Sequence, residues 1–179
     1  RKALRRIVQE LQGKHIPVML DLELPTTKNP LLYVTQAVNF WRNKRLITEF
    51  IDSYPSDVYL AEYYPEGKRK EKMLDLLGLH YQSKNAKIIK MVYHSLHHFN
   101  KQFITEELKK GKKDWGDRFL VAYGTMATGI EGWEPNITVA QLEEDLKIAQ
   151  HVGIKEVVLY RLAGLNREYQ RTIEKVLPS

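Results

Sequence analysis

Asp21 and Glu23 stand in "VMLDLELP", residues 18–25, an apolar run that takes on two carboxylates just before a proline. A buried carboxylate without a partner is expensive, so the pair calls for an explanation. In an extended chain, residues two apart project to the same face. Asp21 and Glu23 then share one face, and Leu20, Leu22 and Leu24 share the other. Neighbouring carboxylates repel when both are ionised, which raises one pKa. A carboxylic acid kept protonated near neutral pH is what a general acid requires. The structural alternative is a pair that binds helix amines or caps a loop, and no basic residue follows until Lys28.

Other residues capable of chemistry gather at the ends of later apolar runs. Glu62 and Tyr63 end "DVYLAEY", Tyr93 and His94 end "KIIKMVYH", Tyr123 and Thr125 end "FLVAYGT", and Arg161 and Asn166 follow "VVLY". In "HSLHHF", His94 and His98 are four apart, which on a helix places them on one face. Zinc sites use that spacing, usually with a third ligand and often a glutamate base. The sequence is not H-E-x-x-H, and His94 falls at a strand end, so no metal is expected. G-x-S-x-G, G-x-G-x-x-G and G-x-x-x-x-G-K-[ST] are also absent, and the expectation is a protein without a cofactor.

The elements that must position these residues follow one rhythm: a helical segment ends at glycine and a short apolar run follows. Gly13, Gly78, Gly111 and Gly153 stand where helices are expected to stop. A further helix is expected to begin at Pro30 and end near Pro55. Strands are predicted near 16–24, 57–64, 87–94, 118–125 and 155–162. Apolar strands one helix apart are the signature of parallel β/α units. The expected fold is α/β: a TIM-barrel-like domain, partial or whole, with an open doubly wound sheet as the alternative. A whole barrel usually needs about 250 residues and this chain has 179. It is read as a single domain, or as the carboxyl-terminal five β/α units of a larger barrel. Polar residues at every strand end favour the barrel, whose sites are assembled from several strands. Open sheets concentrate theirs at one switch point.

The strand "LDLE", residues 20–23, resembles the end of the D-x-x-D-x-D-x-E strand of family 18 glycoside hydrolases, the chitinase-like barrels. That strand is the fourth in the family, where this chain's first strand falls if strands four to eight are present. Two strands later the family often has M-x-Y-D, and this chain has "MVYH", residues 91–94. Tyr160 falls where the family often has an aromatic residue on its last strand. Ile16 and Met19 replace the earlier aspartates, and His94 replaces the aspartate after the tyrosine. The resemblance implies retaining hydrolysis assisted by the substrate's N-acetyl group. Glu23 would protonate the leaving oxygen, Asp21 would orient the acetamido group, and Tyr93 would steady the developing ring. The loop "AYGTMATGIEGWEPN", residues 122–136, fits such a site. Trp133 would stack on a sugar ring and Glu131 or Glu134 would bond to hydroxyls, unless Trp133 packs on the barrel rim. Glu62, Tyr63, His94, Tyr123, Arg161 and Asn166 complete the expected substrate-binding set. The alternatives are a catalytically silent barrel that binds carbohydrate or protein, and a metal-dependent barrel related to xylose isomerase.

The formal net charge is +6. Its basic residues lie in "RKALRR", "GKRKEK" and "KKGKKDW", interleaved with acids on helices, which reads as solvated helix faces and not as a nucleic-acid surface. No apolar run is long enough to cross a membrane. Cysteine is absent, which excludes disulfides and a thiol nucleophile. "NIT", residues 136–138, matches a glycosylation sequon, but Thr138 and Gln141 also have the spacing of a helix capping box, the simpler reading. Both terminal strands carry unprotected apolar runs, "PVML" and "VVLY". Exposed edges of this kind invite pairing, so either a homo-oligomer or strands upstream of Arg1 are expected to cover them.

Overall fold

The computed structural model describes residues 2–11, 13–22, 35, 37–62, 68–77, 80–81, 83–93, 99–124, 126 and 135–177. Its strands are parallel and hydrogen-bonded in the order β1-β2-β3-β4-β5. They are β1 (Val18–Leu22), β2 (Val58–Glu62), β3 (Ala86–Tyr93), β4 (Phe119–Gly124) and β5 (Val157–Tyr160). Sequence order is the order of strands around a β/α barrel. A doubly wound sheet would place the first strand inside and reverse direction from it. The fold is therefore α/β with the strand order of a partial TIM barrel. The chain forms two compact units, residues 1–88 and 89–179, with the boundary inside β3.

The first unit holds α1 (Lys2–Leu11), α2 (Ala37–Ser53) and α3 (Lys68–Leu76). Gly13 follows α1 with φ of +76°, which only glycine adopts without strain. β1 and β2 pair with Met19 beside Tyr59, Asp21 beside Ala61, and Leu22 beside Glu62. The carboxyl end of α2 buries Phe50, Ile51 and the following Tyr54. The rings of Phe50 and Tyr54 stack at 5.1 Å, and the Tyr54 hydroxyl donates to the Ile16 carbonyl at 2.7 Å. The expected start of this helix at Pro30 lies outside the described residues.

The second unit holds α4 (Lys101–Trp115), α5 (Val139–Val152) and α6 (Arg167–Val176). Asn100 caps α4 by accepting from the Phe103 N–H. Thr138 caps α5 by accepting from the Gln141 N–H, as the sequence spacing predicts. Gly153 ends α5 in the left-handed conformation. Gly111 does not end α4, contrary to expectation. The helix runs on to Trp115, and Gly116 with φ of +60° takes the terminal role. Gly111 instead makes room for a ring: a Cβ there would lie 2.2 Å from Phe119 Cζ. Phe119 and Trp115 stack at 5.9 Å above it. β4 is buried along its whole length, as an internal parallel strand should be, whereas every residue of β5 is partly exposed or exposed. Among the described residues no helix is long and apolar enough to cross a membrane.

Candidate functional site

The register of β1 against β2 separates the acids at the strand ends of the first unit. Asp21 lies beside Ala61, on the face that also carries Met19 and Tyr59. It is accessible to solvent, and partial burial of the strand end raises its pKa. Among the described residues no cation pairs with it. Glu23 lies outside the described residues. At the opposite end of this face, Lys87 Nζ lies 2.9 Å from the Tyr59 hydroxyl and 3.5 Å from Asp57.

Glu62 has a different environment. The sequence places it at an open rim, but alternation along β2 turns it to the face of Leu22 and Leu60, away from Asp21. It is 0% exposed. Its Oε1 accepts from the Tyr81 N–H at 2.9 Å, and its Oε2 lies 2.8 Å from His80 Nδ1. Both carboxylate oxygens thus hold the connection between α3 and β3, and a substrate has no access to them. His80 is the residue that sequence reasoning missed. The only available signal was a histidine in "GLHYQS" without a surface pattern to explain it. Tyr63 lies outside the described residues.

In the second unit, the carboxyl ends of β3, β4 and β5 carry aromatic residues. The Tyr93 and Tyr160 rings stack at 6.2 Å with planes 24° apart. Tyr93 lies against Gly124, where a Cβ would come within 3.1 Å of its ring. Gly124 is thus the residue that admits the ring. Tyr160 stays 38% exposed. Its carbonyl accepts from the Met126 N–H at 3.0 Å, tying the chain after β4 to the end of β5.

Tyr123 is not part of this cluster. It is fully buried on the other face, and its hydroxyl donates to the Asp145 carbonyl of α5 at 2.9 Å. Burial, and then Asp145, raise its pKa, so the phenol stays neutral. Asn166 is a helix cap: its Oδ1 accepts from the Glu168 and Tyr169 N–H groups at the start of α6. Arg161 is exposed, and its carbonyl accepts from the Gly164 N–H in a short 3₁₀ turn. The expected contributions of His94, Glu131 and Trp133 lie outside the described residues.

No group of three metal-ligating side chains occurs among the described residues. A groove of about 610 Å³ lies between α4 and α5, lined in part by Lys101, Glu143, Glu144 and Lys147. Its charges are paired, Lys101 with Glu144 at 2.8 Å and Lys147 with Glu143 at 2.6 Å. It lies on helices, away from the strand ends where β/α proteins carry their chemistry. No protein-family model and no curated protein matches the chain.

Proposed function

We propose that the chain is a glycoside hydrolase-like β/α protein whose Asp21 and Glu23, in the sequence "LDLE", act on a glycosidic bond. The observation that carries the reading is Asp21. It is a solvent-accessible carboxylate at the carboxyl end of a parallel strand, with a raised pKa and without a cationic partner among the described residues. Surface carboxylates recruited for structure have lowered pKa values, as Asp117 does at about 2 between Lys112 and Lys155. Desolvation that raises a pKa at a strand end is one mark of a candidate site. In this reading Glu23 is the acid that protonates the leaving oxygen and Asp21 orients the substrate's acetamido group. No cofactor takes part. In the second unit, the Tyr93–Tyr160 stack offers the apolar ring surface on which a pyranose packs, with hydroxyls at its edge.

Hydrolysis of soluble chito-oligosaccharides tests the reading. The wild type is expected to turn them over, and Glu23→Gln to lower kcat by about 10²–10⁴-fold, the usual worth of a general acid. The second reading, a barrel that binds sugar without cleaving it, is favoured by Ile16 and Met19 at the positions of the earlier aspartates. Equal binding by wild type and Glu23→Gln, with no turnover by either, would establish that reading and exclude the enzyme.

A further inference from the structure

We propose that Gly124 is the positioning residue of the aromatic surface at the carboxyl ends of β3, β4 and β5. Lacking a side chain, it lets the Tyr93 and Tyr160 rings meet across β4, and so sets where a sugar ring packs. The choice of ligand rests on the sugar reading above; the positioning role rests on geometry alone.

β4 runs between β3 and β5. Rings rooted on the two flanking strands start from backbones about 10 Å apart, two strand spacings. They can meet only across β4, where a side chain between them would stand in the way. Gly124 is the register partner of Tyr160. A Cβ at position 124 would have atoms of the Tyr93 ring as its three nearest neighbours, at 3.1, 3.1 and 3.4 Å. The space that a side chain would fill is thus taken by Tyr93. With that space open, the two rings stack at 6.2 Å. On this face β4 carries Leu120 and Ala122 before Gly124, so its side chains shrink toward the carboxyl end.

Of the two rings, Tyr93 is the one that position 124 moves. The carbonyl of Tyr160 accepts from the Met126 N–H at 3.0 Å, which ties the end of β5 to the chain after β4. A methyl at 124 would press on the Tyr93 ring and not on that tie, and the ring would have to give by a few tenths of an ångström. The backbone itself accepts alanine, because φ at Gly124 is not positive. At Gly111 the corresponding distance is 2.2 Å. The milder contact at 124 leaves Gly124→Ala able to fold while parting the two rings. Dispersion contacts are sensitive to such gaps: an opening of about 0.5–1 Å forfeits a quarter to a half of the attraction.

A double-mutant cycle of Gly124→Ala and Tyr93→Ala tests the role. The readouts are calorimetric binding of chito-oligosaccharides and the NMR shifts of the Tyr160 ring protons. In the wild-type background, Gly124→Ala is expected to weaken binding about two- to fivefold. It is also expected to move the Tyr160 resonances, because the neighbouring ring current is displaced. In the Tyr93→Ala background both effects are expected to vanish, since the ring that the methyl meets is gone. Unchanged binding by Gly124→Ala, unmoved Tyr160 resonances, or equal effects in both backgrounds would overturn the proposal. Absence of sugar binding by the wild type would overturn the sugar reading and the ligand named here, while the Tyr160 resonances would still decide the positioning role. If Gly124→Ala does not fold, recovery of the fold in the double variant would support the proposal, and failure to recover would overturn it.

Discussion

The strand pair β1–β2 in the first unit and the strand pair β4–β5 in the second solve the same problem with different residues. Each ends with polar side chains on both faces. In the first pair they are acids: Asp21 on one face and Glu62 on the other. In the second they are tyrosines: Tyr160 beside Gly124 on one face and Tyr123 beside Leu159 on the other. In both pairs the residue turned toward the buried face is consumed by structure. Glu62 holds a connection and Tyr123 bonds to α5. The partner on the other face, Asp21 or Tyr160, stays exposed to solvent. A single step along a strand decides between these fates, because side chains alternate. Polarity at a strand end thus predicts a role only after the face is known.

Substitutions can sharpen or break this contrast. The largest effect is expected at Glu62. Glu62→Ala removes the acceptor of the buried Tyr81 N–H and the carboxylate facing His80 Nδ1, and it should lower stability by about 3 kcal/mol or more in urea unfolding. An effect within about 0.5 kcal/mol, the usual size for a surface site, would place Glu62 among the accessible residues after all. Next is Gly111→Ala, whose methyl meets a buried ring of the adjacent strand. Overpacking of this kind should cost about 1–3 kcal/mol, measured the same way. Tyr123→Phe removes one buried hydrogen bond and keeps the ring. A loss of about 1 kcal/mol is expected, with the Tyr93–Tyr160 stack and any sugar binding unchanged.

The smallest effect, and the one of opposite sign, belongs to Asp21. Its folded pKa is raised above the unfolded value, so folding favours its protonated form. The associated stability is fully present below the unfolded pKa and is lost as pH rises through the folded one. Asp21→Asn should therefore stabilise the protein slightly at neutral pH, by roughly a few tenths of a kcal/mol given solvent screening. The gain should fade in acid. Unfolding curves at neutral and acid pH check this. Destabilisation by Asp21→Asn at neutral pH would mean that Asp21 is a structural acid like Glu62, and the contrast would collapse.

The sequence made the order of elements legible because each apolar run is short, β-rich and set off by helical periodicity. Thr138 was readable as a cap because capping is local, and so was the end of α5 at Gly153. Faces and tertiary partners were not. Nothing around Glu62 in the sequence announces that His80, beyond an intervening helix, will meet its carboxylate. Asn166 could have been recognised as a helix cap from its position before "REYQ", yet its polarity beside a strand end drew a functional reading. Gly111 was misjudged for a related reason. A glycine that stops a helix and one that yields space to a neighbour look alike until the neighbour, Phe119, is known.

That last contact also bears on how this sequence can drift over evolutionary time. Position 111 has no room for a methyl while position 119 carries a phenyl ring, so neither can change freely on its own. A lineage that acquires alanine at 111 should already have exchanged the phenylalanine for something smaller, and a lineage that keeps the ring should keep the glycine. The two positions are expected to change together, and substitutions made in that order should be tolerated where the reverse order is not.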